Sequence, residues 1–308
     1  MPGIVRSTYY LPPHTGQVAD WCQRHGYTRE ATQALCDSGA RSYQAAAGET
    51  LYNMAGKALD QLLADAPAPA ESVGALIWFH TNQSNALMPP QSMALQLARQ
   101  GGLTRARPFS VSQQNCVSLL HSLRVLEALF ASDPSLEHAI VIGADLILRE
   151  DMRVIDASAI HSDAASALWI SRQGGAAIRS IVTYNDPRFF RGASNQGVYE
   201  ANDRYFWSAI SVIRKAMQQA QIGPEQVCSL QPQNSNLPGW HKIAAALKLP
   251  VEKIYDANIA RLGHAFGADA PINLQDSNAL NTPGFHLLFS SGVAGCFGAA
   301  VIEVAAVE

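Results

Sequence analysis

The chain has 308 residues, of which 48% are hydrophobic and only 15% charged, and its net charge is −3. This composition supports a large buried core and excludes a disordered, highly charged chain or one built to wrap nucleic acid. The N-terminus lacks the basic-then-apolar pattern of a signal peptide, and no apolar run is long enough to span a bilayer. We therefore expect a cytoplasmic protein with no membrane and no nucleic-acid partner.

The first half of the chain alternates short apolar runs, typical of buried strands, with segments of helical periodicity. The strands are predicted at 74–80, 108–111, 138–145 and 165–171, and the helices at 54–66, 91–100 and 117–130. The second half repeats the alternation. We predict helices at 210–220, 240–249 and from Ala270, with strands at 228–232, 253–259 and 285–292. Such alternation predicts an α/β protein in which helices cover mostly parallel strands.

Matching distances along the chain indicate an internal duplication. Pro90 to Cys116 and Pro238 to His264 are both 26 residues, while Cys116 to Gly143 is 27 and His264 to Gly292 is 28. Generic α/β periodicity is the alternative explanation of these spacings. A duplication predicts two pseudo-twofold related halves, 1–172 carrying the cysteine and 173–308 carrying the histidine, whose equivalent loops bring Cys116 and His264 to one shared site.

Cys116 is the candidate nucleophile among the five cysteines. It lies where a predicted strand gives way to a long apolar helix, and backbone N–H groups at a helix N-terminus stabilise a thiolate. The ordinary alternative is an inert buried thiol, and this is our interpretation of Cys22, Cys36 and Cys228. The odd number of cysteines and the lack of any CxxC spacing favour reduced thiols over disulfides or a zinc site.

The segment PFSVSQQNCVSLLHSL around Cys116 resembles the nucleophile segment of β-ketoacyl-acyl-carrier-protein synthase III (KAS III) and its acyltransferase relatives. Further resemblances run along the chain in family order, in GIVRSTYYLP, SGARSYQAAAGETLYNMAGKAL, VIGADLILRED, IHSDAASALWIS and SSGVAGCFGAAVIEV. The resemblance implies the five-layered αβαβα fold of thiolases and a homodimer. It also implies acyl-CoA or acyl-carrier-protein thioesters as donors, with no further cofactor.

The chain departs from the family at two of its three catalytic positions. Family synthases use Cys, His and Asn, but here PQNSN places Gln233 at the histidine position and GHAFGAD places His264 at the asparagine position. A GHxxxxD segment resembles KAS III-like enzymes of natural-product pathways. Carried over, the catalytic residues are Cys116, His264 and Asp269, with Asp269 orienting the imidazole. Asp269 could instead cap the following helix.

The remaining site predictions are less specific. The resemblance implies an oxyanion hole formed by the backbone N–H groups of Cys116 and Val293. We predict substrate contacts for Gln233, Asn234 and Asn236, or local backbone bonds as the alternative. Cys296 is expected to pack near the site without reacting. The run 185–192 could line an entrance or form a loop of solvated arginines with anchoring phenylalanines.

Neither a nucleotide site nor a metal site is predicted. The run GVAGCFG does not have GxGxxG spacing, and the histidines form no set spaced to hold a metal. Decarboxylation of a malonyl thioester needs two donors on the developing enolate, and Gln233 cannot carry a proton as imidazole does. We therefore expect an acyltransferase of secondary metabolism that uses a Cys116 thioester and an alcohol, amine or carbon acceptor. The alternatives are a decarboxylative KAS III-type condensing enzyme and a non-catalytic partner in a heterodimer.

Overall fold

A computed structural model describes residues 1–83, 90–189 and 198–306. Its helices are α1 (Val18–Arg24), α2 (Arg29–Asp37), α3 (Leu51–Ala64), α4 (Met93–Gln100), α5 (Ser118–Ser132), α6 (Val198–Gln219), α7 (Leu237–Leu247), α8 (Ala257–Leu262) and α9 (Asp269–Asp276). Its strands are β1 (Gly3–Tyr10), β2 (His14–Gln17), β3 (Ser42–Ala45), β4 (Val73–Phe79), β5 (Arg107–Val111), β6 (His138–Asp145), β7 (Val154–Ile155), β8 (Ala159–Ile160), β9 (Ala164–Ser171), β10 (Ala176–Asn185), β11 (Val227–Gln231), β12 (Gly284–Gly292) and β13 (Cys296–Val304).

Nine strands form one mixed sheet in the order β11-β12-β13-β10-β1-β9-β6-β4-β5. β4 is parallel to both β5 and β6, and β11 is parallel to β12. The pairs of β9 with β1 and β6, and of β13 with β10 and β12, are antiparallel. The strands on each side of the β1–β10 contact follow the same pattern. First comes one strand that is antiparallel to both of its neighbours, β9 on one side and β13 on the other, and then the parallel strands. Residue 172 lies in the turn between β9 and β10, and we propose this turn as the division between the two halves.

Helices and the two halves of the sheet alternate in five layers, and three large apolar cores pack these layers together. One core joins α3 and α4 to one face of the first half of the sheet. A central core packs Leu119, Leu123 and Leu126 of α5 and Leu274 of α9 against strands of both halves. A third joins α6 and α7 to the outer face of the second half. The α/β, five-layered architecture predicted from the sequence is confirmed.

The predicted strand at 253–259 is wrong. Ile254 makes only a single parallel bridge with Leu230, and α8 occupies most of the remaining segment. The segment contains the buried polar side chain of Asn258, which must find partners. In the helix, Asn258 donates to Asn273 and Asp276 across the interface with α9. Because the helix gives the Asn258 amide these hydrogen bonds, it is favoured over a fifth strand in the second half of the chain.

The other predicted helices and strands are present, the strand at 138–145 with the predicted bounds and the others with shifted ends. The largest shift is in α6, which begins twelve residues before the predicted start at Ile210. In the described part of the chain, no helix combines the length and apolar character needed to cross a membrane.

Candidate active site

Cys116 lies in a single 3₁₀ turn, Asn115–Val117, that leads directly into α5. Its side chain is 5% exposed. Two of the residues that precede Cys116, Gln113 and Asn115, have left-handed backbone conformations with φ of 64° and 49°. Non-glycine residues rarely adopt this region, and such strain is concentrated at functional sites. The strained turn places the thiol at the start of the helix, where the sequence analysis predicted it.

His264 is held by its backbone as well as by its ring. Its N–H donates to Ile160 O over 2.8 Å, and its carbonyl accepts from Ser162 N–H over 2.8 Å. Gly263 makes this approach possible, because its φ is 65° and a Cβ there would come within 2.5 Å of Ile160 O. Glycine is the residue that tolerates both conditions. The loop before α9 is therefore fixed against β8 and the residues that precede β9.

The two turns meet. The Sγ of Cys116 is 3.4 Å from Nε2 of His264, and Nδ1 of His264 is 2.5 Å from Oδ2 of Asp269. All three side chains are buried. The order thiol, imidazole, carboxylate is that of a nucleophile, a base and an orienting group.

Asp269 does not cap its own helix. Its Oδ2 accepts from Asn234 N–H over 2.8 Å as well as from His264, and its Oδ1 accepts from Ala265 N–H over 2.7 Å and from Asn234 Nδ2 over 3.1 Å. The residue at the N-cap position of α9 is Ala268. Four donors face the carboxylate, so they stabilise an anion in a fixed orientation toward His264.

The surroundings of His264 favour its protonated form. Burial alone would lower its pKa, but the charges of Asp269 and of Cys116 outweigh it and raise the pKa to about 10. An imidazole in these surroundings is a strong proton acceptor.

The turn after β12 lies against the turn that carries Cys116. A Cβ at Gly292 would come within 2.3 Å of the Cβ of Asn115, so only glycine allows this contact. Val293 follows immediately, and its side chain lines the cavity described below. The predicted oxyanion hole requires these two turns to be adjacent, and the part assigned to the Val293 N–H stays a prediction.

The structure separates the three predicted substrate-contact residues. Gln233 is adjacent to His264, with Nε2 to Nε2 at 3.4 Å. Asn234 is 1% exposed, and its side chain contacts Asp269 and Asn273 behind the triad. Since both of its polar ends are occupied, we reassign Asn234 from substrate contact to support of Asp269. Asn236 caps α7 through Gly239 N–H and also lines the cavity.

A cavity of about 520 Å³ lies beside the triad, and its lining includes Gln233, which contacts His264, and Ser291. Most of its wall is apolar, from Ile155, Phe189, Phe206, Trp240, Ile243 and Phe297. Its lining contains one carboxylate, Asp156, and no lysine or arginine among the described residues. The cavity is suited to an extended, uncharged ligand.

Three side chains near the triad were not singled out by the sequence analysis as parts of the site. Ser291 contacts Gln233, Tyr205 contacts Ser291, and the ring of His161 lies 5.3 Å from that of His264 between centroids. The isolated bridge between His161 and His264 aligns the two residues. His161 and Ser291 lie in segments that resemble the family, but their contacts with His264 and Gln233 join distant parts of the chain and could not be predicted from a local pattern.

Other predicted residues have ordinary environments. Cys296 is buried beside Asn115, whose Nδ2 is 3.7 Å from Cys296 Sγ, and burial raises the pKa of this thiol. In the run 185–192, Arg188 forms an ion pair with Asp186 and Phe189 lines the cavity, while residues 190–192 lie outside the described residues. Within the described ranges, no cluster of three His, Cys, Asp or Glu side chains is placed to hold a metal.

His161 is expected to make the protein sensitive to acid. Burial lowers its pKa from 6.5 to about 3, so the unfolded state takes up the proton first as the pH falls. The free energy of unfolding should therefore decrease from about pH 6.5 downward, by about 2 kcal/mol between pH 7 and pH 5 from this group. His161→Phe keeps the stacking on Phe266, whose ring lies 4.2 Å away, and should lose about 2 kcal/mol less over that interval. Urea denaturation at both pH values measures the difference, and equal losses in the two proteins would contradict this origin of acid sensitivity.

The fold and the meeting of Cys116 with His264 define a thiolase-like α/β protein. No protein-family model matches the sequence. It is 24% identical over 298 residues to β-ketoacyl-[acyl-carrier-protein] synthase III of Ruegeria sp. (strain TM1040), covering 88% of each chain. The chain thus resembles KAS III in sequence.

Solved structures show that it also has the KAS III fold. The 3-oxoacyl-[acyl-carrier-protein] synthase III of Aquifex aeolicus VF5 superposes with a TM-score of 0.85 at 19% identity, covering 98% of this chain and 100% of that one. The acyltransferase ChlB3 gives the same TM-score at 18% identity, covering 99% and 98%. The resemblance predicted from the sequence is confirmed.

Proposed function

We propose that this chain is a thioester-dependent acyltransferase that carries the acyl group on Cys116. The observation that carries the proposal is the buried line of Cys116 Sγ, His264 and Asp269, with contacts of 3.4 and 2.5 Å. The likeness to KAS III and to ChlB3 supports a thioester donor and a natural-product setting. The donor in this proposal is acyl-CoA or an acyl carrier protein, and the assembly is a cytoplasmic homodimer.

The first half-reaction acylates the enzyme. The thiol proton passes to Nε2 of His264, and the thiolate attacks the carbonyl carbon of the donor thioester. When the tetrahedral intermediate collapses, the bond between the carbonyl carbon and the donor sulfur breaks, and the donor thiolate takes the proton from His264. The N–H groups of Cys116 and Val293 are proposed to hold the oxyanion.

The second half-reaction transfers the acyl group. His264 removes the proton of an incoming alcohol, amine or activated carbon as that atom attacks the Cys116 thioester. The bond between the carbonyl carbon and Sγ breaks, the product leaves, and Cys116 recovers its proton from His264. Atoms and charges balance over the cycle without any further reactant.

The position of Gln233 favours transfer over decarboxylative condensation. Its oxygen accepts from Ser291, and its nitrogen points at the imidazole of His264. The amide is therefore engaged and does not supply a free second donor for an enolate oxygen. The condensing enzyme is the second candidate, because Gln233 lines the cavity beside His264.

Carbon dioxide release separates the two candidates. The protein is first acylated with acetyl-CoA and then given either malonyl-CoA or malonyl-carrier protein, with carboxyl-labelled malonate. We expect no label in carbon dioxide above that from Cys116→Ala, and acyl transfer to a screen of alcohols and amines. Stoichiometric carbon dioxide release that depends on Cys116 would instead establish condensation.

A further inference from the structure

Both ends of the Gln233 side chain have fixed partners. Its Oε1 accepts two hydrogen bonds from Ser291, one from the N–H and one from the hydroxyl, each of 2.8 Å. Turning the amide over would place its NH₂ group against the Ser291 N–H, so that two donors would face each other. The oxygen is therefore assigned to Ser291 by the contacts themselves, and the nitrogen end must face His264.

Tyr205 extends this chain of hydrogen bonds to the cavity wall. Its hydroxyl is 2.8 Å from Oγ of Ser291, and it lines the cavity. Because the single hydroxyl hydrogen of Ser291 is used toward Gln233, Tyr205 must donate to Ser291. Burial raises the pKa of Tyr205, so the phenol keeps the hydrogen that this bond requires. The direction of the chain runs from Tyr205 through Ser291 to Gln233.

The nitrogen end sets a condition on the imidazole. Nε2 of Gln233 lies 3.4 Å from Nε2 of His264, and an amide NH₂ can only donate. A favourable contact therefore requires an unprotonated Nε2 on His264. The single proton of the neutral ring then lies on Nδ1 and donates to Asp269. This is the tautomer that a base acting through Nε2 needs.

The charged groups around His264 act in the opposite direction. Asp269 and Cys116 together raise the pKa of His264 to about 10 against the effect of burial. His161 adds no charge, since burial lowers its pKa to about 3, and Tyr205 is a neutral phenol. An imidazole that held its proton permanently could not deprotonate an acceptor. A donor aimed at Nε2 opposes that outcome, because a hydrogen bond to the neutral form disfavours the charged one.

We propose that Gln233 is a positioning residue that opposes protonation of Nε2 of His264, and that Ser291 and Tyr205 hold its amide in the required orientation. The value of this device to catalysis rests on the proposed function. The effect of Gln233 on the protonation of His264 does not rest on the proposed function, because that effect can be measured on the free enzyme with no acyl donor present. The same residue position carries histidine in the KAS III pattern, so the substitution changes a proton carrier into a permanent donor.

The pH profile of Cys116 alkylation tests this role. The rate of modification by iodoacetamide reports the thiolate, and peptide mass analysis separates Cys116 from the other free thiols. Gln233→Met keeps the length of the side chain and removes both polar ends. Without the amide donor, the imidazolium–thiolate pair forms at lower pH. We expect the midpoint of the profile to fall by about one pH unit, equivalent to about a tenfold gain in thiolate on the acid side.

Two serine variants supply the matched comparison. Ser291→Ala removes one of the two bonds that orient Gln233 and should move the midpoint in the same direction by a smaller amount. Ser180 is buried to a similar extent, and its hydroxyl bonds to Ala216 O in a different part of the fold. Ser180→Ala should leave the midpoint unchanged, which separates a local proton effect from general loss of packing.

A midpoint that stays constant or rises in both Gln233→Met and Ser291→Ala would overturn the proposal. If Gln233→Met fails to fold, Ser291→Ala decides the question alone. Failure of the proposed function is seen separately, since a shifted midpoint in a protein that transfers no acyl group would retain the positioning role and reject the acyltransferase. Acyl transfer by a protein whose Cys116 profile is unshifted in the variants would retain the acyltransferase and reject the positioning role.

Discussion

Replacing His264 with alanine is expected to reduce acyl transfer to the acceptor by about 10²–10⁴-fold, the usual contribution of a general base. Nε2 of His264 lies 3.4 Å from Cys116 Sγ. Without it, any Cys116 thioester that forms should persist, because no base is left to deprotonate the acceptor. Single-turnover kinetics that follow the acylated protein after the acceptor is added measure this loss.

A buried histidine elsewhere provides the control for the His264 variant. His286 lies on β12 and is 1% exposed, and its ring forms hydrogen bonds with Ser229 Oγ and Thr282 O. His286→Ala should change stability but not the rate constant for transfer in the folded protein. Equal losses in the two variants, or a His264→Ala protein that discharges its thioester at the normal rate, would rule out His264 as the base.

Replacing Asp269 with asparagine is expected to reduce kcat by about 10⁴-fold, as happens when the acid of a serine protease triad is converted to an amide. The four groups that face the Asp269 carboxylate are all donors. An asparagine NH₂ must therefore oppose at least one donor, and the ring of His264 loses both its orientation and the charge that stabilises its protonated form. Steady-state rates at saturating donor measure this effect.

Asp276 is the matched control for Asp269. It lies at the other end of α9 and pairs with Arg261, away from Cys116. Asp276→Asn should therefore leave kcat within a few-fold of the original value. A loss of less than tenfold in Asp269→Asn would show that this carboxylate only supports the loop.

Much of the fold could be predicted because its elements are long and strongly periodic. Six of the seven residues 73–79 and four of the five leucines of α5 are buried, as their spacing indicates. The strand predicted at 253–259 was wrong because the pattern of apolar residues hid the requirement of one buried amide, Asn258, for partners on α9. Such a requirement is visible only once the helices are packed together.

The candidate site was predictable where the chain repeats itself and obscure where contacts join unrelated segments. The equal spacings from Pro90 to Cys116 and from Pro238 to His264 pointed to two equivalent loops, and these loops meet in the structure. The bond from Ser291 to Gln233 joins residues 58 positions apart, and Asn234 contacts Asp269 across 35. Neither pair has a local pattern, so the sequence alone left the roles of Gln233 and Asn234 open.

The account depends most directly on an acyl group residing on Cys116. The intact mass of the protein, recorded within seconds of mixing with a panel of acyl-CoA donors and again after an acceptor is added, tests it. We expect a gain of one acyl group located on Cys116, absent from Cys116→Ala, that disappears when an accepted alcohol or amine is supplied. A protein that gains no acyl group from either CoA or carrier-protein donors would favour the non-catalytic partner subunit, and undiminished turnover by Cys116→Ala would contradict the mechanism outright.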